Sequence, residues 1–238
     1  MISISQGKLA VILRHRRICL RIPVRTHEIK PPDQLEEVFG RYTHGLLQKG
    51  DIVVLSEKMV AAAQGRLVAT ETIQPSWLAV FLAKKVKKTS HGIGLGSPES
   101  MQVAIWECGK LRILFAAVFG MFGKWVGLKG LFYRIAGRQA AWIDGDAPYG
   151  MLRGNITLGP AQPNQVCQRL ARQFGCQVAI MDVNDIGGCE ICGASPACDR
   201  KLLIDLMKDN PLGQDVEQTP IGILRFLSEH ALCFFGCG

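Results

Sequence analysis

The stretch from Gln177 to Gly188 reads QVAIMDVNDIGG, and it narrows the folds open to this chain more than any other. Val178, Ala179, Ile180 and Met181 are continuously apolar, and Asp182, Asn184, Asp185 and Gly187-Gly188 follow at once. An apolar run of that length closed by glycines predicts a buried strand leading into a turn. Two carboxylates and an amide at the mouth of such a strand present hard oxygen ligands suited to Mg²⁺ or Mn²⁺. The same residues also build turns and cap the next element of the chain, and taken alone the stretch favours the turn. A second polar-rich segment beside an apolar strand, Asp209 to Thr219, adds weight to the ligand reading.

The remaining pattern is that of a mixed α/β chain. LAVIL and ICL within Leu9 to Leu20 predict one or two strands, and Pro31-Pro32 marks a turn with Asp33 as N-cap of a helix from about Gln34 to Leu47. Gly50-Asp51 leads into a β-branched strand, Ile52 to Leu55. Trp77, Val80, Phe81 and Lys84 recur at helical spacing within Ser76 to Lys88. His91 to Ser97 is glycine-rich but carries neither a GK[ST] nor the full dinucleotide fingerprint, and Pro98 is placed to open a helix. Further on, Ile156 to Leu158 predicts a strand, and Pro163 to Gly175 a helix with Val166, Leu170 and Phe174 on one stripe. Asp199 to Lys208 predicts another helix and Ile221 to Leu227 a last strand.

Leu111 to Ala136 is the most apolar segment, and its apolar-and-glycine run, Ile113 to Gly123, is about half of the ~20 residues a membrane span needs. It reads either as an interfacial membrane helix or as a buried strand, Arg112 to Val118, followed by a core or dimer-interface segment. The second reading is the favoured expectation.

A net charge of +8 suits an anionic partner, be it nucleotide, polyphosphate, nucleic acid or lipid, though basic excess is commonly a solvated face. The N-terminal MISISQGKLAVILRHRR has too short an apolar stretch and no small-residue cleavage site for a signal peptide. Nine cysteines, an odd number in a chain too large to need staples, suggest a reducing, cytoplasmic setting. Cys189, Cys192 and Cys198 lack a clear fourth ligand, although Cys233, Cys237 or His230 is available, and are expected to be free thiols without metal.

Read together, the segments resemble the coenzyme F420-0:L-glutamate ligase family, here in a divergent form. The resemblance is carried by Ile22-Pro23-Val24-Arg25 and by GDIVVLSEKMVAAAQGR from Gly50 to Arg66. It extends through the acidic turn at Asp144 and the strand ending at Asp182 to PLGQDVEQTPIGILR from Pro211 to Arg225. It covers about residues 18–226 and implies a single α/β domain over 1–238 with a mixed sheet, pairing into a homodimer.

The resemblance also implies an enzyme that uses GTP or ATP and Mg²⁺ or Mn²⁺ to join glutamate to a carboxylate acceptor through an acyl phosphate. By the resemblance Asp144, Asp182 and Gln214 would be metal ligands; the chemistry of phosphoryl transfer, read from the residues, makes Asp144, Asp182 and Asp185 the candidate catalytic carboxylates. Ile22, Pro23, Val24, Arg25, Glu57, Lys58, Leu212, Gly213, Gln214, Asp215, Val216, Glu217, Gln218 and Thr219 would line the nucleotide. Arg25, Lys58 and Arg66 offer the cationic charge that phosphoryl transfer needs. Expected partners are nucleotide, small-molecule carboxylate and amino-acid substrates, with no nucleic acid and no membrane.

The departures are specific. Ala62 stands where the family has a lysine, and Ala147 where it has an asparagine. Asp182-Val183-Asn184-Asp185 replaces D-T-x-G-R, and the segment 91–138 is longer and more apolar than the family pattern. These leave open a non-catalytic nucleotide- or cofactor-binding protein, or a membrane-surface partner protein.

Overall fold

A computed structural model of the chain describes residues 9–14, 16–31, 33–86, 94–128, 130–145, 154–184, 188–213 and 217–227. The chain divides into two compact units, one from Met1–Gly65 with Pro160–Gly238 and one from Arg66–Gly159.

The first unit is built on a six-stranded mixed sheet. Its strands are β1 (Val11–Arg14), β2 (Arg17–Val24), β3 (Ile52–Ser56), β6 (Gln177–Val183), β7 (Cys189–Ala194) and β8 (Ile221–Leu227), in spatial order β1-β2-β8-β3-β6-β7. Only β3 and β6 run parallel; the other pairs are antiparallel. Ile52 to Leu55 and Val178 to Ile180 are buried at every position, because helices cover both faces. On one face Ile52, Val54, Ala179 and Met181 pack with Leu203, Leu206 and Met207 of α9 (Arg200–Met207). The alternate residues point the other way, where α2 (Glu57–Ala63) and α8 (Pro163–Phe174) pack on β6.

Local chemistry sets the helix limits. Asp199 caps α9 by accepting from the Lys201 and Leu202 amides at 3.0 and 3.1 Å. Pro163 opens α8 and Gly175, at φ +66°, closes it. The expected stripe of α8 is present, with Val166 and Leu170 buried and Phe174 packed at a tilt against Phe39, ring centres 4.6 Å apart. Asp33 does not cap α1 (Leu35–Thr43). Its carboxylate accepts from the Lys30 amide at 3.0 Å and meets His27 Nε2 at 3.1 Å, so it closes the preceding turn instead. These contacts, the Lys30 amide foremost, hold Asp33 below the usual carboxylate range.

Arg21 is almost fully buried and ties this unit together. Its guanidinium donates to the Leu9 carbonyl, to the Leu206 carbonyl at 3.0 Å and to Asp209 at 2.5 Å. Arg225 makes a two-pronged pair with buried Asp51, at 3.0 and 2.7 Å.

The second unit pairs β4 (Leu67–Ala69) with β5 (Asn155–Thr157) and adds α3 (Trp77–Ala83), α4 (Pro98–Cys108), α5 (Lys110–Trp125), α6 (Leu131–Ala136) and α7 (Arg138–Ala141). One expectation holds here and another fails. The helix expected after Ser76 is present as α3, capped by Ser76; it buries Leu78, Ala79, Leu82 and Ala83 and leaves Trp77 and Phe81 exposed. Arg112 to Val118 is not a buried strand but part of α5, most of whose large side chains are exposed. The segment is apolar all round, so hydrophobicity alone could not separate helix from strand. Pro98 does open α4, behind a Ser97 cap.

Candidate functional site

One end of the six-stranded sheet gathers four of the segments named above. Val24, Ile221, Leu55 and Ile180 stand in one row across β2, β8, β3 and β6. Just beyond that row the chain leaves β2 at Arg25, leaves β3 at Glu57-Lys58, leaves β6 just after Asp182-Val183, and enters β8 from Gln218, Thr219 and Pro220. Ligand sites of open α/β sheets characteristically lie outside the carboxyl ends of parallel strands, and β3 and β6 end here.

Backbone hydrogen bonds fix the loop before β8 to its neighbours. The Thr26 amide donates to the Gln218 carbonyl at 3.0 Å, and the Ser56 amide to the Pro220 carbonyl at 2.8 Å. The Thr219 hydroxyl donates to the Leu212 carbonyl across the loop. Gly213 has φ +79° and lies under the Glu217 carboxylate, so close that a Cβ would sit 2.6 Å from its carboxyl carbon. The positive φ favours glycine, and a side chain there would also displace the Glu217 carboxylate. Gln214, Asp215 and Val216 lie outside the described residues, as does Asp185.

Glu57 and Lys58 form the first turn of α2, which follows β3 without a loop; Glu57 is buried and Lys58 exposed. Ala62, where the family pattern has lysine, is buried one turn further on the same face. Lys58 is therefore the cation that this helix presents at the sheet end. Arg25 is also exposed there. Arg66 belongs to the second unit, where it donates to the Gly159 carbonyl at 2.5 Å and pairs with Glu107.

The carboxylates divide between the units. Asp182 closes β6 in the first; Asp144 belongs to the second, where its backbone bridges Thr157 through bonds of 2.9 and 3.1 Å. Asn184 takes the turn-building role, since its side-chain oxygen accepts from the Gly188 amide at 2.8 Å. Ala147 lies outside the described residues.

One acidic residue escaped the sequence reading. Glu190 pairs directly with Asp182 across the β6–β7 ladder. Together with Glu57 these carboxylates bear on the Cys192 thiol, which burial, first, and then all three charges push up. The ladder register was the signal for Glu190, masked by its place between two cysteines. The thiols themselves are engaged separately: Cys198 lies 3.5 Å from the Val178 carbonyl and 3.3 Å from the Ser195 hydroxyl, and burial pushes Cys189 up to about 11. Cys233, Cys237 and His230 lie outside the described residues.

Carboxylate oxygens at a strand mouth are donors of the kind that Mg²⁺ and Mn²⁺ take. Among the described residues no group of three or more His, Cys, Asp or Glu is arranged to hold an ion. A donor set completed by Gln214 would draw on a residue outside them.

The family model described as F420-0:Gamma-glutamyl ligase matches residues 23–188. The chain belongs to that family. The match begins at Pro23 in β2 and ends at Gly188, so it takes in the β3–α2 junction, Asp144 and Asp182. Comparison with curated proteins gives no match. Membership makes this a protein of a ligase family, with a mixed α/β fold as expected.

Proposed function

We propose that this protein is a nucleotide- and divalent-metal-dependent amide ligase that joins glutamate to a carboxylate acceptor at the sheet end described above. The observation that carries the reading is the convergence there of Arg25, Glu57-Lys58, Asp182 and Gln218-Thr219, from four separate stretches of sequence.

In this reading the acceptor carboxylate attacks the γ-phosphorus of GTP or ATP, forming an acyl phosphate and releasing the nucleoside diphosphate. The glutamate amine then attacks the acyl carbon, phosphate leaves, and the amine loses a proton. Such chemistry asks the protein chiefly for positioning and charge neutralisation. Lys58 and Arg25 offset phosphate charge, and the pinned Gln218–Thr219 backbone lets the nucleotide approach closely. Asp182 would hold the ion, with Gln214 and Asp144 assigned by the resemblance alone; a bound Mg²⁺ or Mn²⁺ would neutralise charge on the phosphates. The family resemblance further supports a homodimer.

Calorimetric titration of GTP and ATP, each with Mn²⁺, tests the reading directly. Wild type is expected to bind one of them, and Gln214→Ala to weaken it about ten- to hundredfold, the loss expected for a hydrogen bond to a charged group. Hydrolysis that requires both metal and glutamate marks a ligase, whereas binding without turnover marks a non-catalytic nucleotide binder. If neither nucleotide binds, the reading fails.

A further inference from the structure

The α5–α6 hairpin inverts the ordinary arrangement of an amphipathic helix. α5 turns its small residues inward: Ala116 is fully buried beside Ile113, and Gly120 and Gly123 press on α6. A Cβ on Gly120 would come within 3.0 Å of Phe132, and one on Gly123 within 2.9 Å of Leu131. The glycines thus let the two helices close on each other. The large side chains go outward instead. Leu111, Phe115, Val118, Phe119, Phe122 and Trp125 are all about half exposed or more, with Trp125 at 84% and Leu111 at 70%. Contiguous apolar surface on this scale is rare on a freely soluble monomer and marks an interaction face.

Charge decides what covers it. Between Cys108 and Ile143 the chain carries Lys110, Arg112, Lys124, Lys129, Arg134 and Arg138 and not one Asp or Glu. A second copy of the hairpin seated on the first would bring these cations against their own kind, with no carboxylate in the segment to offset them. An anionic lipid surface supplies the opposite charge at the same place as an apolar layer. Lys110, Arg134 and Arg138 are exposed and can meet headgroups while the aromatic face enters the acyl boundary, and Arg112, also exposed, donates to the Ile135 carbonyl at 2.8 Å. The helix cannot cross: its 16 residues span about 24 Å against a hydrocarbon core of about 30 Å. Among the described residues no helix is long and apolar enough to span a membrane.

We propose that the α5–α6 hairpin seats this protein on an anionic lipid surface, lying in the interface without crossing it. This replaces the expectation of a buried segment with no membrane partner, and it does not depend on the ligase reading.

Co-sedimentation with vesicles of phosphatidylcholine alone, and of phosphatidylcholine mixed with phosphatidylglycerol, tests it. Wild type is expected to bind the mixed vesicles much more tightly, with a blue shift of Trp125 emission that Trp125→Phe removes. Phe119→Ser combined with Phe122→Ser should weaken that binding about a hundredfold or more. Lys110→Gln and Arg134→Gln should each weaken it about fivefold, on the mixed vesicles only. All these side chains face solvent, so circular dichroism and nucleotide titration of the variants should match wild type. Failure to bind the mixed vesicles, or equal binding to both compositions, overturns the proposal. So does a wild-type dimer that the Phe119→Ser, Phe122→Ser variant dissociates while neither form binds vesicles.

Discussion

Asp182 and Glu190 face each other across the β6–β7 ladder, two carboxylates paired where β6 runs out. Like charges directly opposite on a sheet are destabilising, and a bound cation between them would reverse the sign. Glu190→Gln should therefore raise the stability of the metal-free protein by about 0.2–1 kcal/mol while weakening Mn²⁺ binding. Asp182→Asn should weaken Mn²⁺-dependent nucleotide binding more severely, with the fold intact. Urea unfolding with and without Mn²⁺ reads both effects; a Glu190→Gln variant less stable than wild type without metal contradicts the repulsion.

Lys58 is exposed on the first turn of α2, while the position one turn on is the buried Ala62. If Lys58 meets phosphate in place of the family's lysine, Lys58→Ala costs about 1.5–3 kcal/mol of nucleotide binding. The melting temperature of the ligand-free protein should hardly move, because the substitution is at the surface. Ala62→Lys, by contrast, should destabilise the fold by burying a charge. Calorimetry and thermal melting of the two variants separate these cases.

Arg21→Leu removes a buried guanidinium that joins β2 to the Leu9 carbonyl, the end of α9 and Asp209. Carbonyls left without a donor should make the loss large, about 3–5 kcal/mol. Chemical denaturation gives the value directly, and a loss below about 1 kcal/mol would mean that water replaces the arginine.

Burial pushes the Cys167 thiol up to about 12 and the Cys19 and Cys176 thiols up to about 11, from an ordinary value of 9.0. A thiol raised on folding contributes stability that is whole below about pH 9 and lost as pH climbs through the folded value. Stability should thus fall on the alkaline side, by on the order of 1–3 kcal/mol for Cys167 alone. Urea midpoints at about pH 8 and about pH 10 measure the slope, and Cys167→Ala should flatten it.

Legibility from sequence tracked how local each determinant is. The helix following Asp199, the Val166–Leu170–Phe174 stripe and the apolar strands at Ile52, Val178 and Ile221 are written in local sequence, and all appear as expected. α5 could be read as helix or as strand, because its inward face is marked by alanine and glycine and its outward face is as apolar as a core. The family motifs named segments of the candidate site, but their meeting at one sheet end depends on β8 entering between β2 and β3. That is a pairing across about two hundred residues that no local pattern encodes. Glu190 was hidden for the same reason, since its partner Asp182 is set by register.

The position of β8 also bears on how the chain is made. It is a central strand of the sheet, yet among the described residues it is the last element in chain order. While a ribosome is still adding residues before Ile221, β2 can pair only with β1, and β3 only with β6. Each then shows an unprotected strand edge of the sort that recruits wrong partners. Until Ile221–Leu227 are added, the β1–β2 pair and the β3–β6–β7 set remain two incomplete ribbons, and they become one sheet when that strand slots between them.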